Sequence, residues 1–243
     1  DCRVWALMDT PALIVFDLVG TTVQGSELLP AALRRAFETV GVNLSDDDIA
    51  AARGKSKREA ISSMLFESVG AKKAGKYAMN VYESFENALL QQYWDSTIHE
   101  IDGTRDVFDW CDDQRTKKAI ATGFDRGLVN VLVDKLGWAD DIDAIVCNDD
   151  VKRGRPAPYL IFHAMEKTGI DAVFKVATIG DTVADLQAGN NAGVGWNIGV
   201  LSGDTSEEEL EAEPHTALID SIADLPGLFA GDADYTEEGD KLR

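Results

Sequence analysis

Cysteine and histidine are scarce in this chain, three of each. Cys2, Cys111 and Cys147 form no Cys-x-x-Cys pair and do not cluster with His99, His163 and His215. That excludes a disulfide scaffold and argues against a thiolate–imidazole metal site; reduced thiols in a cytoplasmic protein are the expectation. Basic residues are also few, 23 Lys and Arg against 43 Asp and Glu, for a formal net charge of −20. A field of that sign repels nucleic acid and anionic lipid, so neither is an expected partner. It repels a phosphate-bearing ligand as well, so an anion site here needs local cations. Long apolar runs are missing too. None nears the roughly 20 residues that a membrane span takes, and the first residues lack the pattern of a secretory leader.

What is present is ordinary globular material: 243 residues with 45% hydrophobic, enough for one large α/β domain or a core with a smaller insertion. Ala12–Phe16 is a continuous apolar run ending at Asp17, the pattern of a parallel strand buried on both faces. Residues 119–121, 144–146, 176–179 and 194–198 repeat it. Helical stretches fall between them, at about 104–114, 126–136, 156–168 and 183–192. This alternation predicts an α/β fold, a Rossmann-like parallel sheet with helices on both faces. Residues 24–100 read as helices only, over 31–40, 46–53, 57–69 and 74–93, and predict an all-helical cap inserted after the first strand. The core is then 1–23 plus 101–230, with a short helix near 207–210. Residues 231–243, rich in Asp, Glu and Gly, are expected to be a disordered acidic tail. The first four strands end in Asp17, Thr122, Asn148-Asp149-Asp150 and Asp181. Ligands gather at the carboxyl ends of such strands, so these tips form one candidate site.

Four motifs occupy that edge. Asp17-Leu18-Val19-Gly20-Thr21-Thr22 sets a carboxylate before a turn whose N–H groups can face a phosphoryl oxygen. Thr122-Gly123 offers a hydroxyl and an amide. Gly154-Arg155-Pro156 sets a fixed cation before a helix. Gly180-Asp181-Thr182-Val183-Ala184-Asp185 sets two carboxylates four apart at a strand-to-helix turn, and oxygen-only ligation suits Mg²⁺. In order and spacing these pieces resemble the four motifs of the haloacid dehalogenase superfamily, from Asp17 to Gly193. The resemblance implies that Asp17 is a nucleophile forming an aspartyl-phosphate. It implies Mg²⁺ on Asp17, Asp181 and the Val19 carbonyl, with Asp185 as a ligand or acting through water. Thr122, Gly123 and Thr21 would hold the phosphoryl group, and Arg155 would neutralise charge beside Asp17. A plain pairing of Asp185 with Arg155 is compatible with that.

Val19 is the informative departure. Phosphatases and phosphomutases of this superfamily carry a second Asp there, which protonates the leaving oxygen. General acid–base help of this kind is worth about 10²–10⁴-fold. Within the superfamily, the Asp-x-x-Gly-Thr-Thr-Val run and the Arg of the third motif resemble the phosphonoacetaldehyde hydrolases, which lack that Asp. Those enzymes cleave a P–C bond after a cap lysine forms an imine with the aldehyde. Lys57, in Gly54-Lys55-Ser56-Lys57, stands at the matching place. Ser56 and Glu59 read as a capping box, which puts Lys57 at a helix start. There the helix dipole, Lys55, Arg58 and Arg53 would disfavour its ammonium form.

Alternatives stay open. Lys57 could be an imine-forming amine, a clamp for a substrate anion or an uninvolved surface lysine. Arg53, Ala60 and Phe124 replace a Met, a His and a Tyr of the resembled enzymes, and Arg53 points to a larger or more anionic substrate. The expected substrate is a small phosphonate, or in the second reading a small phosphate monoester. A non-catalytic binder that keeps the fold is the third. Relatives suggest pairing through the cap helices as a homodimer.

Overall fold

The computed structural model describes residues 10–230. Six parallel strands form one sheet in the order β3-β2-β1-β4-β5-β6. They are β1 (Leu13–Phe16), β2 (Lys117–Ala121), β3 (Ala144–Val146), β4 (Val176–Gly180), β5 (Trp196–Val200) and β6 (Ala217–Ile219). β1 is the central strand and buried on both faces. Its alternate residues Ile14 and Phe16 join one core cluster, while Leu13 and Val15 join another beneath the opposite helices. The chain builds β2 and β3 on one side of β1, then crosses to build β4, β5 and β6 on the other. The carboxyl ends of β1 and β4 therefore flank the point where strand order reverses, the place where open sheets of this kind bind ligands.

Four core helices cover the sheet, α5 (Thr104–Gln114), α6 (Arg126–Leu136), α7 (Tyr159–Thr168) and α8 (Val183–Ala192), with shorter α9 (Glu207–Glu211) packed on α8 and α10 (Leu225–Ala230) on α5. α7 starts later than the apolar pattern implies because Pro156 and Pro158 occupy a turn closed by Ala157 N donating to Gly154 O at 3.0 Å. β2 starts earlier, because its first two residues are lysines. The Lys118 side chain is buried, with its ammonium on Phe108 O and Asp112. β5 is shifted two residues later than the apolar run, and the three-residue β6 gave no periodic signal. The expected acidic tail lies outside the described residues.

The cap consists of α1 (Leu28–Glu38), α2 (Asp46–Ala50), α3 (Lys57–Val69) and α4 (Ala71–Asp95). α4 packs against both α1 and α3, joining Val81, Phe85 and Leu89 to Leu33, Phe37, Ile61 and Leu65 in one buried cluster. α2 ends at Ala50, short of the 46–53 expected, because the chain must turn down to the core. Gly54 makes this possible. Its φ is +65°, and a Cβ there would lie 2.8 Å from the Thr182 Cβ. The two connections between cap and core run side by side: Gln24 N donates to His99 O at 3.0 Å, and Ile101 N to Thr22 O at 2.9 Å.

Candidate active site

Asp17 follows β1 directly, and its N–H continues the ladder to Ile179 O at 2.9 Å. The turn after it is closed by Thr22 Oγ1 donating to the Asp17 and Leu18 carbonyls, each at 2.9 Å. Gly20, at φ +100°, lets that turn approach Asp181, whose Cγ would lie 2.6 Å from a Cβ at this position. Asp181 directly follows β4, is buried, and accepts from Thr21 Oγ1 at 2.9 Å. Asp185 sits in the first turn of α8. One of its oxygens accepts from Thr182 N at 3.1 Å and from the Thr182 hydroxyl, and the other meets Arg155 Nη1. Arg155 Nη2 donates to Asp17 Oδ1 at 2.7 Å. The pairing of Asp185 with Arg155 is thus present, beside a carboxylate cluster.

Oxygens of Asp17, Asp181 and Asp185 all lie within 4.8 Å of one another. Burial, and then the neighbouring Asp17, push the Asp181 carboxyl up to about 7. A buried site with more carboxylate than its one arginine offsets is favourable only with added positive charge. The donor set is oxygen alone, so it fits a hard divalent cation. The Arg155 Nε is buried and has no hydrogen-bond partner, which leaves one donor open beside the cluster.

A cavity of about 50 Å³ opens above Asp17. Val19, Thr122, Gly123, Arg155 and Asp181 line it from the core, and Arg53, Gly54 and Lys57 from the cap. The Thr122 hydroxyl accepts from Phe124 N at 3.3 Å, leaving its proton free for a ligand oxygen. Lys57 opens α3 and is buried, with Nζ donating to Ala52 O at 3.0 Å and Lys55 O at 3.1 Å. Burial first, and Arg155 second, lower its pKa to about 8, against the pull of Asp17 and Asp181. The direction agrees with the sequence argument and the cause does not. Of the residues held responsible, Lys55 adds a lowering smaller than that of burial and Arg155, Arg58 is engaged by Asp125, and Arg53 donates to Asp204 O at 2.7 Å. Ser56 caps α3 by accepting from Glu59 N, without the reciprocal bond of a capping box.

Two further candidate positions lie away from the cavity wall. Thr21 is fully buried, and its hydroxyl donates to Asp181, where it supports the carboxylate cluster. The strand tip 148–150 lies off the cavity: Asn148 binds Asp125, Asp149 binds the Arg126 amide, and Asp150 pairs with Arg126 and Lys167. Ser26, Leu29 and Asp204 also line the cavity and were not foreseen. Asp204 lies in the loop after β5, and its place at the carboxyl edge of the sheet was the available signal.

A parallel sheet that brings a carboxylate cluster and an arginine together under a helical cap is the architecture of an α/β enzyme with its site at the strand tips. The chain belongs to the haloacid dehalogenase-like hydrolase family, whose model matches residues 14–197. It is 32% identical over 141 residues to a phosphonoacetaldehyde hydrolase of Parabacteroides distasonis, a match spanning 55% of this chain and 52% of the relative. It is 28% identical over 236 residues to that of Bacillus cereus strain AH820, covering 89% and 87%. A hydrolase from Pseudomonas syringae superposes with a TM-score of 0.80 at 23% identity over 91% of this chain and 99% of that one, a likeness that bears on the fold.

Proposed function

We propose that this enzyme is a phosphonatase-like, Mg²⁺-dependent hydrolase that cleaves the P–C bond of phosphonoacetaldehyde or a closely related small phosphonate. The observation that carries the reading is the pairing of Val19 with a buried Lys57 in one cavity. Val19 cannot protonate an alkoxide leaving group, so an ester substrate lacks an acid at this place. Lys57 offers another route. A neutral amine has two N–H bonds and one lone pair. The Ala52 and Lys55 carbonyls take both N–H bonds, which leaves the lone pair as the open valence. A pKa near 8 makes the neutral form accessible at ordinary pH.

In this reading Lys57 adds to the aldehyde and water leaves, giving an imine. Asp17 then attacks phosphorus through a carboxylate oxygen, and the P–C bond breaks. Its electron pair enters the imine, whose nitrogen has first taken up a proton, to give a neutral enamine, which then takes up a second proton at carbon. Water hydrolyses the resulting imine to release acetaldehyde and free Lys57, and water hydrolyses the aspartyl-phosphate to release phosphate. Arg155 holds Asp17 in place and offsets charge on the phosphoryl oxygens, while Thr122 donates to one of them. Asp17, Asp181 and Asp185, with the Val19 carbonyl, would hold Mg²⁺, which when bound supplies charge neutralisation for the approach of carboxylate to phosphoryl group. A cavity of about 50 Å³ suits a ligand of few atoms.

The test is release of phosphate from a panel containing phosphonoacetaldehyde and small phosphate monoesters, with borohydride added to trap an imine on Lys57. Turnover of phosphonoacetaldehyde with a trapped adduct is the expected result. Fast ester hydrolysis without an adduct would move the assignment to a phosphatase whose cap lysine binds an anion.

A further inference from the structure

We propose that Arg58 and Asp125 are a positioning pair that seats the cap on the core and so holds Lys57 in the cavity. The inference rests on the reading that Lys57 acts on a substrate bound beside Asp17. Arg58 follows Lys57 in the first turn of α3, and Asp125 follows Phe124, whose ring centroid lies 5.6 Å from Lys57 Nζ. The pair thus joins the residues next to the cavity on both sides of the seam, while neither partner lines the cavity. Arg58 reaches Asp125 Oδ2 through Nε at 2.7 Å and Nη2 at 2.6 Å.

Each partner is arranged for this contact. The Arg58 guanidinium lies over the Tyr82 ring at 4.1 Å, and the Tyr82 hydroxyl donates to Glu86 Oε1 at 2.9 Å. The cap therefore fixes the direction of Arg58 through α4. Asp125 stands at the N-cap of α6, where an aspartate ordinarily accepts from the first amides of its own helix. It makes no such bond. Asp149 accepts from Arg126 N at 3.0 Å instead. The Asp125 carboxylate is buried, with Oδ1 held inside the core by Asn148 Nδ2 at 3.0 Å and Oδ2 given to Arg58 across the seam. Asp125 is buried while the Arg58 side chain is half exposed, so removing Arg58 strands a buried carboxylate, whereas an Arg58 without Asp125 is still reached by water. Loss of either charge unties the seam, loss of Arg58 being the more costly because it strands a buried carboxylate, and Lys57, on the same helical turn, moves with Arg58.

The experiment uses the full chain with Mg²⁺ and compares Arg58→Met, Asp125→Asn, their double variant and Arg58→Lys. Methionine keeps a stem over Tyr82, and asparagine keeps the shape of Asp125, so circular dichroism and thermal melting should report folded proteins. Two readouts are taken: kcat and KM on phosphonoacetaldehyde, and amide hydrogen exchange over residues 54–60 and 123–128. Each single variant should lower kcat/KM about 10²-fold, the scale of a modest misplacement of a reacting group. Exchange should quicken at the seam and stay unchanged in α7 and α8. The double variant should be no worse than the worse single one, and Arg58→Lys should recover part of the loss. Seam exchange unaltered by either single variant, or losses that multiply in the double, would overturn the pair. If borohydride traps nothing on Lys57 while seam exchange responds as described, the imine chemistry fails and the pair stands. If trapping proceeds at the native rate in Arg58→Met, the pair fails and the chemistry stands.

Discussion

Arg155 Nη2 donates to Asp17 Oδ1 at 2.7 Å, while the other terminal nitrogen of the same guanidinium is held by Asp185. One carboxylate oxygen of Asp17 is thereby occupied and its orientation set, which leaves the second oxygen to react. Asp17→Asn keeps the shape of this contact and removes the nucleophile. Turnover should fall roughly 10⁴-fold or more, with an unchanged melting profile. Substantial residual turnover, with deamidation of the new Asn excluded by mass, would rule out the covalent step.

Lys57 is tested by charge and by pH together. An imine requires a free amine, so Lys57→Arg should be as inactive as Lys57→Ala, whereas an anion clamp would tolerate arginine. Burial and Arg155 hold the Lys57 pKa down to about 8. The nucleophilic form therefore gains population as pH rises through about 8, and the charged form loses it. kcat/KM should rise across that window in the native enzyme. A fall across the same window, with an active arginine variant, would assign Lys57 to electrostatic binding.

Asp181 carries the metal prediction. Burial and Asp17 raise its pKa to about 7, so its ionised form is the unfavourable one until a cation arrives. Asp181→Asn should melt at or above the temperature of the metal-free native protein and should no longer be stabilised by added Mg²⁺. An undiminished Mg²⁺ response in a thermal titration would place the ion elsewhere.

Val19 lines the cavity, and Val19→Asp would set a carboxyl near the leaving group. General acids of this kind contribute about 10²–10⁴-fold, so slow hydrolysis of a small phosphate monoester should speed up by up to about 10²-fold. Esterase activity that is already fast in the native enzyme and falls in the variant would show that the missing acid is not what limits it.

The strand-tip residues of the site were legible because a parallel strand buried on both faces reads as an unbroken apolar run, and Asp17 or Asp181 stands out at its end. The alternation of runs and helices gave the sheet, but not Lys117 and Lys118, whose charges hide a strand start that tertiary pairing satisfies. Sequence order placed Lys57 at a helix start. It could not show that the lysine is buried, since burial depends on the Gly54 turn meeting Thr182, a residue of the distant α8 turn. The same limit explains Thr21 and Asp125. Each is a polar residue at an ordinary turn or cap position whose partner, Asp181 or Arg58, lies far away in the chain.

The paired connections at 22–24 and 99–101 have a consequence for how such a chain can change. Their ends are hydrogen-bonded neighbours, so the sheet meets the whole intervening segment as it would meet a loop. Closing a flexible loop costs only about 0.6 kcal/mol more for each doubling of its length. An entire lid can therefore be exchanged between relatives at this neck, carrying its lysine, its Arg53 and its seam contacts as one cassette, while the carboxylate cluster of Asp17, Asp181 and Asp185 keeps its place at the edge of the sheet.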